Sequence, residues 1–240
     1  MTVQGTLLTF GEIDIDLFRP MSELTSDLKA FFASQNISPF DFEDMTLVAD
    51  SDYTTWIPQE LFEPEHERDY MAPLYSLPAS MGCGSTFNKA VGAYCVFAAS
   101  TSVVTAFRIA MPGIEVVCQQ SLLANQQVLQ MADKAPVILL HQREGQCDFV
   151  IASNGRLLLS NNYAVHTNEE RLYRTLELMK SLQVESDQLA LLLCGNVDRD
   201  TYASMRGYFP HINLYSGSQI RFINPEFKQL PIYKHILSLL

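Results

Sequence analysis

The sequence predicts an α/β fold made of two units with the same element order. Strand–helix–strand–helix patterns close both halves, at 92–132 and again at 189–239. The all-apolar run Leu189-Ala190-Leu191-Leu192-Leu193 reads as a central strand covered on both faces. Residues 136–161 read as a three-strand meander whose second turn carries Asn154-Gly155, the pair that type I′ hairpins favour because both central residues need positive φ. An antiparallel meander followed by parallel crossovers is the architecture this order implies for each unit. The boundary is expected at Asp133-Lys134-Ala135, giving units 1–133 and 134–240.

In chain order, 6–10 and 13–18 read as strands, the second from Ile13, Ile15 and Leu17 alternating with Asp14 and Asp16. A helix is predicted over 22–35, with Leu24, Leu28, Phe31 and Phe32 on one face and Ser22 as its cap. Strands at 45–49 and 53–57 follow, joined by Asp50-Ser51-Asp52, and Pro58 opens a short helical turn that Pro64 stops. The Pro, Gly and Ser content of 63–89 reads as loop. Next come strand 92–98, helix 101–110, strand 114–118 and helix 119–132. After the meander, Thr167 and Glu170 have the spacing of a capping box for a helix over 168–182, with Leu172, Leu176, Met179 and Leu182 inward. Strand 189–194, helix 198–208, strand 212–215 and a last helix over 226–239 complete the pattern.

A chain of 240 residues with 48% hydrophobic and 18% charged side chains has enough apolar surface to offset chain entropy. No apolar run approaches the roughly 18 residues of a membrane span. Glu12, Asp14 and Asp16 interrupt the opening stretch and Arg19 is the first base, so no secretory signal is expected. Five cysteines, an odd number without close pairing, suit a reducing cytoplasm. Charge is uneven: residues 1–133 hold 5 bases and 17 acids, a net of −12, whereas 134–240 hold 11 and 10, a net of +1. Ten acids against Arg68 fall within 41–70. Such a field repels phosphate backbones, which argues against nucleic acid and leaves either a solvated acidic face or a dock for a basic protein.

Several segments resemble an uncharacterised bacterial domain-of-unknown-function family with the actin-like ATPase fold. They are Trp56-Ile57-Pro58-Gln59-Glu60-Leu61-Phe62, Gly92-Ala93-Tyr94-Cys95-Val96-Phe97, Leu157-Leu158-Leu159-Ser160-Asn161-Asn162-Tyr163, Thr167-Asn168-Glu169-Glu170 and Leu191-Leu192-Leu193-Cys194-Gly195-Asn196. The resemblance implies two tandem ribonuclease-H-like lobes and assigns no catalytic residue. It also implies where ATP-Mg²⁺ would sit in a working member, between two Asp/Gly-rich hairpins that cradle phosphates with backbone N–H groups. The corresponding stretches here are Thr9-Phe10-Gly11-Glu12 and His141-Gln142-Arg143-Glu144-Gly145-Gln146, each with a single Gly beside an acid. The Gly-Gly turn near the adenosine corresponds to Cys194-Gly195-Asn196, where one Gly remains.

Other chemistries find no pattern. Gly82-Cys83-Gly84-Ser85-Thr86 does not fit a Gly-x-Ser-x-Gly elbow and reads as a flexible loop. Cys95, Cys118, Cys147 and Cys194 fall in predicted strands and read as small buried hydrophobes. His66, His141, His166, His211 and His235 lack metal-ligand spacing. Asp14 and Asp16 share a strand face, as the two-metal acids of ribonuclease-H nucleases do, but no basic groove accompanies them. The sequence therefore assigns no catalytic, cofactor-binding or metal residue. It leads to a cytoplasmic, catalytically silent actin-like module that binds an unidentified protein partner, basic by charge, without nucleic acid or membrane insertion and with self-association open. The alternative is a nucleotide-binding actin-like ATPase with atypical phosphate loops.

Overall fold

In the computed structural model, residues 2–3, 6–7, 16, 19–42, 44–184, 189–216, 221–222 and 232–235 are described. The chain divides into two compact units: residues 1–8, 88–91 and 122–240 form one, and 9–87 and 92–121 the other.

The first strands, β1 (Thr2–Val3) and β2 (Thr6–Leu7), pair antiparallel. Helix α1 (Met21–Ser34) starts at Pro20 without a side-chain cap, so Ser22 lies inside the helix and does not cap it. Proline at the N-cap supplies no side-chain acceptor, and Glu23 N–H donates instead to the Pro20 carbonyl at 3.0 Å. Strand β3 (Thr46–Ala49) and strand β4 (Thr54–Pro58) enter different sheets. Between them Ser51 is buried, and the Gln119 side chain accepts from its backbone N–H (2.9 Å) and donates to its carbonyl (2.8 Å).

The stretch expected as loop is partly regular. Pro64–His66 forms a 3-10 turn that leads into helix α2 (Glu67–Met71), and Met81–Asn88 is strand β5. A Cβ at Gly84 would lie 3.2 Å from the Phe97 ring, a tight contact that favours glycine where β5 passes this ring. Strand β6 (Ala93–Ser100) is the centre of the sheet β4-β6-β5 and is antiparallel to β4. Met71 of α2 packs against Val96 and Ala98 on one face of β6, while Cys95 and Phe97 pack with Cys118 on the other. Helix α3 (Thr101–Ala110) follows directly and buries Ala106 and Ala110 against Leu24 and Leu28 of α1. Strand β7 (Glu115–Cys118) pairs parallel with β3. The described strands between 46 and 118 thus fall into a two-stranded and a three-stranded sheet, whereas five strands between 137 and 214 share one sheet.

The helix expected over 119–132 is broken into α4 (Gln119–Leu123) and α5 (Gln126–Met131). Asn125 makes the break: its Oδ1 accepts from Val128 N–H at 3.1 Å and so caps a new helix. Strands β8 (Val137–Arg143), β9 (Gln146–Ser153) and β10 (Arg156–Ala164) form the expected antiparallel meander. Asn154 and Gly155 have φ of 51° and 68°, the left-handed pair that a type I′ turn needs. Helix α6 (Asn168–Ser181) carries the Thr167–Glu170 capping box. Strand β11 (Ala190–Gly195) lies between β8 and β12 (His211–Leu214), parallel to both, in the order β10-β9-β8-β11-β12. Between them runs α7 (Arg199–Arg206), capped by Asp198. Ile138, Leu140, Phe149, Leu191 and Leu193 meet Leu178, Met179 and Met205 of α6 and α7 in the main core. Strand β13 (Arg221–Phe222) pairs parallel with β2. Of the expected strand 13–18 and last helix 226–239, only Asp16 and 232–235 lie within the described residues, and 232–234 form a 3-10 turn.

Candidate functional site

Ligands of open parallel sheets bind outside the carboxyl ends of their strands. Here β8 and β11 end side by side, with Cys194 opposite His141 and Gly195 opposite Gln142. The fold therefore brings together two of the stretches where a nucleotide would be held, 141–146 and 194–196. The third, Thr9-Phe10-Gly11-Glu12, lies outside the described residues, as does Asp14; Asp16 lies in no strand.

The β8–β9 hairpin turns on Glu144-Gly145, with Gly145 at φ 67° and Glu144 exposed at its tip. Its charges are spent internally. Arg143 Nε and Nη2 fork onto Asp148 Oδ2 and Oδ1 at 3.0 and 3.2 Å, and Asp148 is fully buried. His141 Nδ1 lies 2.8 Å from the same Oδ2. A carboxylate oxygen accepts, so this contact is a hydrogen bond in the tautomer of His141 that carries a proton on Nδ1. Arg143 also donates to Gln146 Oε1 at 3.3 Å. Gln142 Oε1 is buried without a hydrogen-bond partner among the described residues, but it is an acceptor and offers nothing to an anion. The turn itself is packed from outside: Val165 N–H donates to Gly145 O at 3.0 Å, and a Cβ on Gly145 would lie 3.3 Å from the His166 ring.

Gly195 has φ 79°, and a Cβ there would run into the carbonyl oxygen of Gln142. Asn196 N–H donates to that same oxygen at 2.8 Å. The glycine is thus explained by the closeness of the two strand ends. Behind it sits a second polar cluster that the sequence did not single out. Arg171 of α6 is buried at 4% exposure and donates to Asn168 Oδ1, Thr201 Oγ1 and, at 3.4 Å, the Cys147 sulfur. Asp198 accepts from Thr201 N–H at 2.7 Å, and that bond, with the nearby Arg171 charge, holds its carboxyl below the usual range. Burial pushes the Cys147 and Cys194 thiols up, so both stay protonated. A helical Arg at i and a capped turn thirty residues on gave no motif to find; only the packing of α6 on α7 joins them.

The remaining motifs resolve as structure. Gly82-Cys83-Gly84-Ser85-Thr86 lies in strand β5, and Cys95 and Cys118 are buried. Among the described residues no group of three His, Cys, Asp or Glu side chains is placed to hold a metal, and no helix is long and apolar enough to cross a membrane.

Residues 2–212 match the family described as protein of unknown function, DUF3822. The chain belongs to the DUF3822 family. Among solved structures it is similar to a Bacteroides thetaiotaomicron protein with an actin-like ATPase fold and unknown function, at 19% identity and a TM-score of 0.69 over 80% of this chain and 76% of that one. It is also similar to a chain of the PilM-PilN type IV pilus biogenesis complex, at 12% identity and a TM-score of 0.52 over 92% of this chain and 83% of that one. Likeness at such identities establishes the fold: this DUF3822 member has the actin-like ATPase fold. No curated protein sequence matches it. The segments that carry the family resemblance are structural devices in this member. Thr167-Asn168-Glu169-Glu170 is the capping box of α6, Phe62 stacks on Tyr94 with centroids 3.8 Å apart, and Leu191–Gly195 is a buried inner strand between β8 and β12.

Proposed function

We propose that this chain is a catalytically silent actin-like module that works by binding another protein. The carrying observation is the hairpin at 141–148, where Arg143 and His141 are committed to the buried Asp148 and Glu144 occupies the tip. A phosphate placed on this turn would meet a carboxylate. Two unit charges about 4 Å apart repel by roughly 4 kcal/mol at an effective dielectric of 20, which outweighs a typical hydrogen bond or two. The order β10-β9-β8-β11-β12, an antiparallel meander followed by two parallel strands, supports reading 134–240 as a ribonuclease-H-like lobe. We take 1–133 as its acidic tandem counterpart, in a cytoplasmic protein whose lobe charge of −12 favours a basic partner over nucleic acid. That a similar fold occurs in the PilM-PilN complex supports a protein partner.

Titration calorimetry with ATP-Mg²⁺ tests the reading. The expected result is no Mg²⁺-dependent hydrolysis above background and no binding tighter than about millimolar, worth roughly 4 kcal/mol. Micromolar affinity abolished by Gly145→Val, in a variant that keeps its circular dichroism, would replace the scaffold by a nucleotide-binding ATPase.

A further inference from the structure

Among the described residues strand β5 ends the sheet β4-β6-β5, and its outer edge carries no ladder partner from them. Edge strands in native proteins are normally guarded by charges, proline or bulges against adding a foreign strand. Met81-Gly82-Cys83-Gly84-Ser85-Thr86-Phe87-Asn88 has neither a charge nor a proline. At its far end Thr86 Oγ1 accepts the backbone N–H of Cys118 at 3.1 Å, which brings β7 up against that part of the strand. Residues 82–85 instead border a groove of about 390 Å³ whose other wall is helix α3. Phe97, Ala99, Val104 and Val116 give it an apolar lining.

The groove also carries opposite charges. Arg108 is exposed on α3, lines the groove, and makes no hydrogen bond or ion pair among the described residues. Glu67 lines it as well, at the start of α2, next to Arg68, whose Nη1 donates to Met81 O at 3.1 Å. The carboxylate therefore stands near the start of β5. Gly82 and Gly84 border the groove and put no side chain into it.

We infer that this groove takes an extended segment of a partner protein, which adds to the edge of β5 as a further strand, lays an apolar side chain against Phe97 and Val104, sets an acid on Arg108 and a base at Glu67. The inference rests on the protein-binding reading above and names its surface and the partner's chemistry. Strand addition takes affinity from main-chain hydrogen bonds and specificity from alternate side chains, because alternate positions share a face. The base, apolar and acidic residues of the segment accordingly fall at alternate positions.

The test uses the full chain and a fluorescein-labelled peptide, Ser-Lys-Thr-Val-Thr-Asp-Ser, read by anisotropy and amide hydrogen exchange. Saturable sub-millimolar binding is expected, with slowed exchange at residues 82–85. Replacing the peptide's Asp by Lys is expected to weaken binding about tenfold, because an exposed attraction on Arg108 becomes a repulsion of similar size. Arg108→Glu, an exposed substitution that leaves the core untouched, should reverse that preference. No binding, equal binding of both peptides, or unchanged exchange at 82–85 would overturn the inference. So would a homodimer that Arg108→Glu breaks, since the groove would then belong to a second copy. The ATP titration does not read this groove: micromolar ATP affinity would overturn the silent-module reading alone, and failed peptide binding the groove alone.

Discussion

Replacing Gly195 by alanine tests whether the carboxyl ends of β8 and β11 are held as close as the structure has them. Two costs are separable there. An L-residue at φ 79° pays the left-handed penalty of roughly 1–2 kcal/mol, less about 0.4–1 kcal/mol recovered from the stiffer unfolded chain. The new Cβ also meets the Gln142 carbonyl, which is backbone and cannot rotate away, and would sit 2.9 Å from His141 Cδ2 and 3.0 Å from Gln142 N. Parting the strands loses the 2.8 Å Asn196–Gln142 bond, about 1 kcal/mol, and adds overpacking of about 1–3 kcal/mol. Gly155→Ala is the matched reference. Its φ is 68°, but its new Cβ meets only the side chain of the exposed Asp133, which can swing aside. The expected losses are about 3 kcal/mol for Gly195→Ala and about 1 kcal/mol for Gly155→Ala, or melting shifts of roughly 6–12 °C and 2–4 °C for a chain this size. Trp56, the single tryptophan, lies in the other compact unit, so circular dichroism and hydrogen exchange of 137–164 are the appropriate readouts. Equal losses for the two variants would mean that Gly195 is not pressed against β8, and the account of the site would fail.

Arg143→Met should cost about 3–5 kcal/mol, because it strips the guanidinium from a fully buried Asp148, whereas Arg143→Met with Asp148→Leu should recover most of the loss in urea unfolding. A single-variant loss under about 1 kcal/mol would show that the pair holds no buried charge together. Stability should also depend on acid through Glu170 and Asp198. Backbone N–H groups of His166 and Thr167 hold Glu170 below its ordinary range, and that of Thr201 does the same for Asp198. Folded values lowered in this way give stabilisation that is complete above the ordinary carboxylate range and is lost as pH falls from about 4 through the folded values. Melting temperatures should therefore drop across that window, and Glu170→Gln with Asp198→Asn should flatten the drop; an unchanged slope would count against both caps.

Local chemistry carried much of the fold. Thr167 and Glu170 are three residues apart and satisfy each other's neighbourhood without help, so the start of α6 was legible from spacing. Asn154-Gly155 was legible for the same reason, since positive φ at both positions is a property of the residues themselves. The apolar run ending at Leu193 announced a strand covered on both faces, because only such a strand can bury every side chain. Asn125 was the near miss: its capping preference competes with helix continuation, and the apolar periodicity through 119–132 masked it.

What the sequence by itself determined is the set of elements whose stabilising partners lie within a few residues, together with the uneven charge. Tertiary structure alone decided that the glycine-rich 81–88 is a strand, because glycine is disfavoured in strands until a neighbour such as Phe97 needs the space. It alone placed Gly195 beside Gln142, and gave Arg143 and Arg171 the partners that commit one and bury the other. Such contacts join residues far apart in the chain, and their energy depends on distance in space, which no local pattern encodes.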